Sequence, residues 1–230
     1  YQNLFTKINI NFEKQTGLKK KLIDKTLELG KKLLKKKKIS ASEKIINFVC
    51  NILVRKKIQN QFGGNLQAFV SGGGALDKKI GEFLNAIGLP TLQGYGLTEA
   101  SPVVSCNLPD LVKVDTVGPP FRTNKVKIAE DGEILIKGEN VMLGYWNNKK
   151  ETDKVIKNEW LHTGDIGELD HNNYLKITDR KKDIIVNLGG DNIAPSKLEN
   201  ILCLNEFIKQ SFVYGDKKNY LVALLVVEKT

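Results

Sequence analysis

Apolar positions in the first sixty residues recur at helical spacing among lysines. Leu18, Leu22, Leu29, Leu33 and Leu34 form one stripe, and Ile45, Ile46, Val49, Ile52, Leu53 and Ile58 form another. A period near 3.6 that gathers apolar side chains on one face predicts amphipathic helices, the second running from a Ser42 cap to Gln61. At Leu66 the pattern shortens: LQAFVSGGGAL reads as a strand running into three consecutive glycines, followed by a helix over about Asp77–Ile87 and a second strand over Thr91–Tyr95. Such a β-loop-α-β unit builds a parallel sheet whose strand ends carry ligand loops. Beyond Gly118, NKVKIAEDGEILIKG and IGELDHNNYLKITDR alternate with period two, predicting hairpins that turn at Asp131-Gly132 and at Asp170–Asn173. After Arg180 a polar KKD precedes IIVNLGG, Pro195 opens a helix, and strands follow at about Ile208–Tyr214 and Tyr220–Val227. A domain boundary is expected near Lys181.

Composition narrows the class. The 230 residues are 41% hydrophobic and 27% charged, an ordinary globular mixture long enough for one large domain or two modest ones. Cys50, Cys106 and Cys203 are odd in number and far apart, so no disulfide framework is expected and a reducing cytoplasm fits. His162 and His171 are too few for most zinc constellations. The longest apolar run, Tyr220–Val227, falls far short of the roughly 18 residues of a membrane span, so neither a transmembrane helix nor a signal peptide is expected among these residues. The chain opens on Tyr1 rather than Met, as a fragment or a processed chain would.

Charge is distributed unevenly. Residues 1–60 hold 16 Lys+Arg against 4 Asp+Glu, and residues 61–230 hold 20 against 22. The excess therefore lies entirely in the front helices and in the run Lys35–Lys38. It reads either as a solvated face or as a surface for an anionic membrane or polyphosphate. No interleaved aromatics of the base-stacking kind accompany it, so nucleic acid is not the expected partner.

Candidate chemistry begins at Ser71-Gly72-Gly73-Gly74-Ala75, where missing Cβ atoms let backbone N–H groups approach a flat or anionic ligand. Gln93-Gly94-Tyr95-Gly96-Leu97-Thr98-Glu99 then sets an aromatic face, a hydroxyl and a carboxylate on one strand-to-helix turn. A nucleotide needs those groups: a ring to stack on its base, a hydroxyl for phosphate oxygens and a carboxylate for Mg²⁺.

SGGGAL, QGYGLTEASPV, GEILIKGENVMLGYW, WLHTGDIGELD and ITDRKKDIIVNLGGDNIAPSKLE stand in the order and approximate spacing of the adenylate-forming, AMP-binding superfamily. Within it the chain most resembles bacterial long-chain fatty acyl-CoA or acyl-ACP synthetases, over about residues 63–230. The resemblance implies an α/β fold: part of a large N-terminal domain, with a sheet and a β-rich subdomain, followed by a small α+β C-terminal domain. Residues 1–62 would then be a basic helical segment of the large domain, 63–180 its nucleotide- and acyl-binding part, and 181–230 the start of the small mobile domain. It also implies activation of a long-chain fatty acid with ATP, then thioester formation on CoA, with an acyl-ACP synthetase or another carboxylate–CoA ligase as the alternative.

Carried over residue by residue, the resemblance puts Gly72, Gly73, Gly74 and Ala75 beside adenine and the acyl group. Tyr95, between Gly94 and Gly96, would pack on adenine, Thr98 would contact the α-phosphate, and Glu99 would hold Mg²⁺. Asp165 would accept from both ribose hydroxyls, and Arg180 would reach ribose or phosphate. Lys182 takes the hinge position, and Gly189 the glycine that lines the pantetheine tunnel. Read from the residues alone, each has a structural alternative: Tyr95 as a core aromatic, Glu99 as a helix-start carboxylate, Asp165 as a turn residue, Arg180 and Lys182 as a solvated face. His162 reads as a packed histidine beside its turn, Trp146 and Trp160 as core or domain-edge aromatics, and the cysteines as buried small hydrophobes.

Two departures matter. Asp191-Asn192 stands where Glu-Asn is familiar, and the third glycine of SGGG is closer to the long-chain branch than to luciferases or aryl-CoA ligases. The family's TSGTTGxPKG phosphate loop and its PKTxxGK lysine segment are not among these residues, so the slice by itself is expected to be a poor catalyst. A noncatalytic nucleotide-binding scaffold is the alternative of another class.

Overall fold

The computed structural model describes residues 1–205 and 207–227, which form two compact units. Tyr1–Thr98 and Pro102–Phe121 make the first; Glu99–Ser101 and the chain from Arg122 onward make the second.

The first unit opens with helices α1 (Gln2–Glu13), α2 (Gly17–Leu34) and α3 (Ala41–Cys50). A π-helical turn over Asn51–Arg55 leads into α4 (Lys56–Gln61). The second predicted helix is therefore present, but its cap is Ser40 rather than Ser42. Ser40 Oγ accepts from Glu43 N at 3.2 Å while Ser40 N donates to Glu43 Oε2 at 2.9 Å. This reciprocal box requires an acid three residues on, which Ser40 has and Ser42 lacks. Leu18, expected on the buried stripe, is 84% exposed in the first turn of α2, whereas Ile23, Thr26 and Leu29 are buried.

Strands β1 (Phe69–Ser71) and β2 (Thr91–Gly96) flank α5 (Lys78–Ala86) and pair in parallel, Ser71 opposite Gln93, as the β-loop-α-β pattern predicts. After a 3-10 turn at Thr98–Ala100, β3 (Val103–Cys106) adds antiparallel to β2. Asp77 caps α5 by accepting from Lys79 N and Ile80 N. The core gathers Val54, Ile58, Ile80, Phe83, Leu84 and Ile87, with Phe5 set edge-on to Phe83 at 4.9 Å. Gly30 lets α2 run against the end of α5, because a Cβ there would sit 2.5 Å from Ala86 O.

Arg55 ties these helices together. Its guanidinium is buried and donates to Ala86 O at 2.9 Å, Asn47 Oδ1 at 2.9 Å and Thr26 O at 3.2 Å. All three acceptors are neutral, and burial pulls its pKa below the ordinary value.

The second unit is built on an antiparallel sheet. β4 (Asn124–Ile128) pairs with β5 (Glu133–Gly138) around Asp131-Gly132. Helix α6 (Lys149–Val155) leads into β6 (Ile156–Lys157), then β7 (Trp160–Leu169) and β8 (Leu175–Arg180). The order is β4-β5-β7-β6, with β8 also on β7, so both predicted hairpins form and the long β7 is the hub. Ile134, Ile136, Leu161 and Leu175 fill its buried face. Beyond lie the short pair β9 (Ile185–Val186) and β10 (Asn192–Ile193), α7 (Pro195–Leu202) with proline in its first turn, and the hairpin of β11 (Ile208–Tyr214) and β12 (Val222–Val227). Trp146, read as a core or edge aromatic, is 91% exposed, while Lys127 Nζ lies 4.1 Å from the centre of the Trp160 ring. Cys50 is buried, and Cys106 and Cys203 are half-buried. Among the described residues no helix is long and apolar enough to cross a membrane.

Replacing Arg55 with Met leaves the carbonyls of Thr26 and Ala86 without their donor. A loss of about 2–4 kcal/mol is expected, read as a lower urea midpoint at unchanged slope. A midpoint equal to wild type would show that the guanidinium does not brace the helices.

Candidate nucleotide site

The glycine run follows β1 directly. Gly72, Gly73, Gly74 and Ala75 are exposed, and Gly73 has a φ of +77°, which an L side chain resists. The loop lies beside the end of β2: a Cβ on Gly72 would meet Gly94 O at 3.8 Å. Gln93, buried on β2, fixes the loop's far end, accepting from Leu76 N at 3.0 Å through Oε1 and donating to Val114 O through Nε2. Nothing in the QGYGLTE motif marks Gln93 as a loop anchor, because the role depends on β1 and β2 lying side by side.

Tyr95 is 6% exposed, packed as a core aromatic is. Gly96 brings the chain close to itself, with Leu97 N donating to Pro102 O at 2.9 Å. Thr98, exposed at the start of the 3-10 turn, ends the first of the two segments that make up the first unit.

Glu99 belongs with the second unit. Its Oε1 accepts from Tyr145 Oη at 2.8 Å, and its carbonyl accepts from Met142 N at 2.8 Å. Asn140 Nδ2 donates to Ala100 O at 2.8 Å, so the GENVMLGY segment after β5 cradles this turn. The hydrogen bond to the Glu99 carboxylate, followed by burial, pushes the Tyr145 phenol above its usual range. Among the described residues no three His, Cys, Asp or Glu side chains cluster as a metal cage. A single carboxylate fits Mg²⁺ of the kind that arrives with nucleotide phosphates and keeps most of its ligands from them and from water.

Asp165 and Arg180 are brought together. They face each other across β7 and β8, with Arg180 Nε 3.5 Å from Asp165 Oδ1. The carboxylate is largely shielded and the guanidinium largely exposed. A shielded acceptor beside a reachable cation suits a ribose with its phosphate: the carboxylate accepts without donating, and the fork donates without accepting.

Beneath this pair lies a network that the motifs did not reveal. Glu133 Oε1 accepts from Gly164 N at 2.9 Å, and its Oε2 lies 3.2 Å from both His162 Nδ1 and Lys181 Nζ. Lys181 Nζ also donates to Asp131 Oδ2 at 2.6 Å, and Lys181 N donates to Gly164 O at 2.8 Å. Burial pushes the Glu133 carboxyl upward, yet the donors from Gly164, His162 and Lys181 outweigh it and hold the pKa below its ordinary value. His162 is thus a packed, hydrogen-bonded histidine. One residue before Arg180, Asp179 is buried. Its Oδ1 accepts from Arg180 N at 2.7 Å and Ser196 Oγ at 3.3 Å, and burial raises its pKa.

Lys182 and Gly189 are exposed on the chain after β8. Gly189 sits in the loop between β9 and β10, which Asn187 and Asp191 close on each other.

Long-chain-fatty-acid–CoA ligase FadD15 of Mycobacterium bovis is 42% identical over 176 residues, covering 76% of this chain and 29% of the relative. Fatty acyl-CoA synthetase B of Dictyostelium discoideum is 30% identical over 239 residues, covering 97% of this chain and 35% of the relative. Among solved structures, O-succinylbenzoate coenzyme A synthetase of Bacillus subtilis in complex with ATP and magnesium ion is 32% identical. It superposes with a TM-score of 0.65 over 71% of this chain and 37% of that one. The chain spans about a third of the length of these relatives. Residues 23–146 match the model for AMP-binding enzymes, a stretch that holds the glycine loop, the Thr98-Glu99 turn and the segment that cradles it, so the chain belongs to the AMP-binding enzyme family.

Proposed function

We propose that this chain is part of a ligase that activates a long-chain fatty acid with ATP and passes the acyl group to the thiol of CoA. The observation that carries the reading is the Asp165–Arg180 pair, an acceptor and a cation set side by side by strand register in a chain of this family. The names of the relatives from Mycobacterium bovis and Dictyostelium discoideum support the fatty acid as substrate and CoA as acceptor. A carrier protein's thiol would use the same chemistry.

The carboxylate oxygen attacks the α-phosphorus of ATP, the bond to the bridging oxygen breaks, and pyrophosphate leaves. The thiol gives up its proton to water, its sulfur attacks the acyl carbon of the adenylate, and the bond to the phosphate oxygen breaks so that AMP departs, a far better leaving group than oxide. Asp165 holds the ribose hydroxyls and Arg180 donates to ribose or phosphate. Tyr95 borders adenine with Gly94 and Gly96, and Gly72–Ala75 line the base and acyl side. Thr98 donates to the α-phosphate. Mg²⁺ held at Glu99 would neutralise charge on the phosphate oxygens. Lys182 sits at the hinge of a small domain starting near Lys181, and after that domain turns Gly189 lines the path of the pantetheine arm.

The basic front supports a second contact, with an anionic membrane in which fatty acids partition. Lys35–Lys38 are exposed between α2 and α3, and Ile45, Phe48 and Leu53 are exposed on the helical stretch that follows. Lysines near an anionic surface and apolar side chains that enter it act together.

Three outcomes are expected. A full-length version exchanges pyrophosphate into ATP only when fatty acid is present; no acid-dependent exchange would sink the reading. Lys182→Pro slows thioester formation much more than adenylate formation in single turnovers, because proline restricts the torsions a hinge must change. Equal slowing of both half-reactions argues against a hinge at Lys182. Changing Lys35–Lys38 to glutamine releases the protein from anionic vesicles at low salt and leaves nucleotide affinity unchanged, whereas equal sedimentation of wild type with anionic and neutral vesicles would show the charge to be a solvated face.

A further inference from the structure

The ladder between β5 and β7 is irregular where the site is. Leu135 pairs with His162 and Glu133 with Ile166, so the single residue Ile134 stands opposite Thr163, Gly164 and Asp165. An excursion of this size lifts backbone groups out of the sheet, and each needs another partner. Thr163 Oγ1 donates to Ile134 O at 2.7 Å and accepts from Asp165 N at 3.1 Å. Gly164, held at a φ of +71°, sends its N–H to Glu133 Oε1.

Taking Asp165 as the ribose acceptor, we infer that Glu133 is the positioning residue for that carboxylate. The Glu133 side chain is only 9% exposed, and its two oxygens divide the work. Oε1 replaces the ladder acceptor that the excursion takes from Gly164, and Oε2 gathers His162 from one flank and Lys181 from the other. Lys181 returns its own N–H to Gly164 O, so the residue before Asp165 is held at both its N–H and its C=O and tied to the residue after Arg180. Asp165 and Arg180 are thereby oriented through one buried carboxylate. Charge-assisted hydrogen bonds of this kind are short, directional and strong.

Discrimination between ATP and 2′-deoxy-ATP, measured as the ratio of kcat/KM in the full-length enzyme, reads the aim of Asp165 directly. Wild type should prefer ATP by about tenfold or more, the size of one hydrogen bond to a charged group. Asp165→Ala should abolish the preference. Glu133→Leu should reduce it to within about threefold. Glu133→Asp, which keeps the charge for Lys181 but draws the oxygens back from Gly164, should do the same. Glu133→Gln keeps the original reach and an oxygen for Gly164 N but sets an amide N–H against Lys181 Nζ, and should recover part of the preference, more than Glu133→Asp. A merely structural role would lower the melting temperature and both kcat/KM values together while leaving their ratio unchanged. A wild-type ratio in folded Glu133→Leu, or in Glu133→Asp should the leucine variant not fold, overturns the inference while a collapsed ratio in Asp165→Ala keeps the ribose reading. A wild-type ratio in Asp165→Ala overturns the ribose reading and the inference together.

Discussion

The site in the second unit depends on a departure from regular strand pairing. On one side of β7, three residues share a single partner on β5; on the other, pairing shifts between Ile166 and Gly167, leaving Thr178 as an extra residue on β8. Extra residues bend a strand, increase its twist and re-aim its side chains. Here they bring Asp165 and Arg180 face to face at the sheet end. In an uninterrupted ladder a shift of one position would turn either side chain to the opposite face, so the irregularity is what permits the pair.

Burial divides the charged groups by task. Asp165 and Arg180 form a pair in which the arginine remains largely exposed, and such a pair contributes only about 0–1 kcal/mol to stability. Its value is orientation. Glu133 and Arg55 are buried and hold backbone rather than ligand. Among the described residues Arg55 donates to neutral acceptors, one of them Ala86 O at the end of α5, where the helix dipole presents partial negative charge. Asp179 is buried between Arg180 N and Ser196 Oγ, so the end of β8 is tied to the first turn of α7.

Period and punctuation made much of the fold legible. Three glycines between an apolar run and a helical stripe marked the parallel unit, and Asp131-Gly132 and Asp170–Asn173 marked the two hairpins. Sheet order was not legible: that β7 would pair with β5, β6 and β8 follows from packing among strands far apart in sequence. A serine before an apolar run points to Ser42 as the cap, but the pairing of Ser40 with Glu43, three residues apart, is the stronger signal. Asp165 and Arg180 were found through their motifs. Glu133 was not, although it stands in GEILIKG, because a lone acid beside an Asp-Gly turn looks like solvated hairpin polarity. Its partners Gly164 and Lys181 are 31 and 48 residues away, and nothing short of the register brings them to it.

The departure at Asp191 has a local physical reason. Asp191 N donates to Asn187 Oδ1 at 2.8 Å, and Asn187 Nδ2 donates back to Asp191 Oδ2 at 2.9 Å. Asn187 N also donates to Asp191 O and Gly190 N to Asn187 O, so the two side chains complete a ring that the backbone has begun. Asx side chains bond to backbone this close at hand because the arm is short. Of these four bonds only the one from Asn187 Nδ2 uses the side chain at 191, and it is the one that aspartate's short arm supplies. Aspartate therefore closes the turn between β9 and β10 on itself, leaving Gly189 exposed at its tip with its backbone free of any side chain of its own.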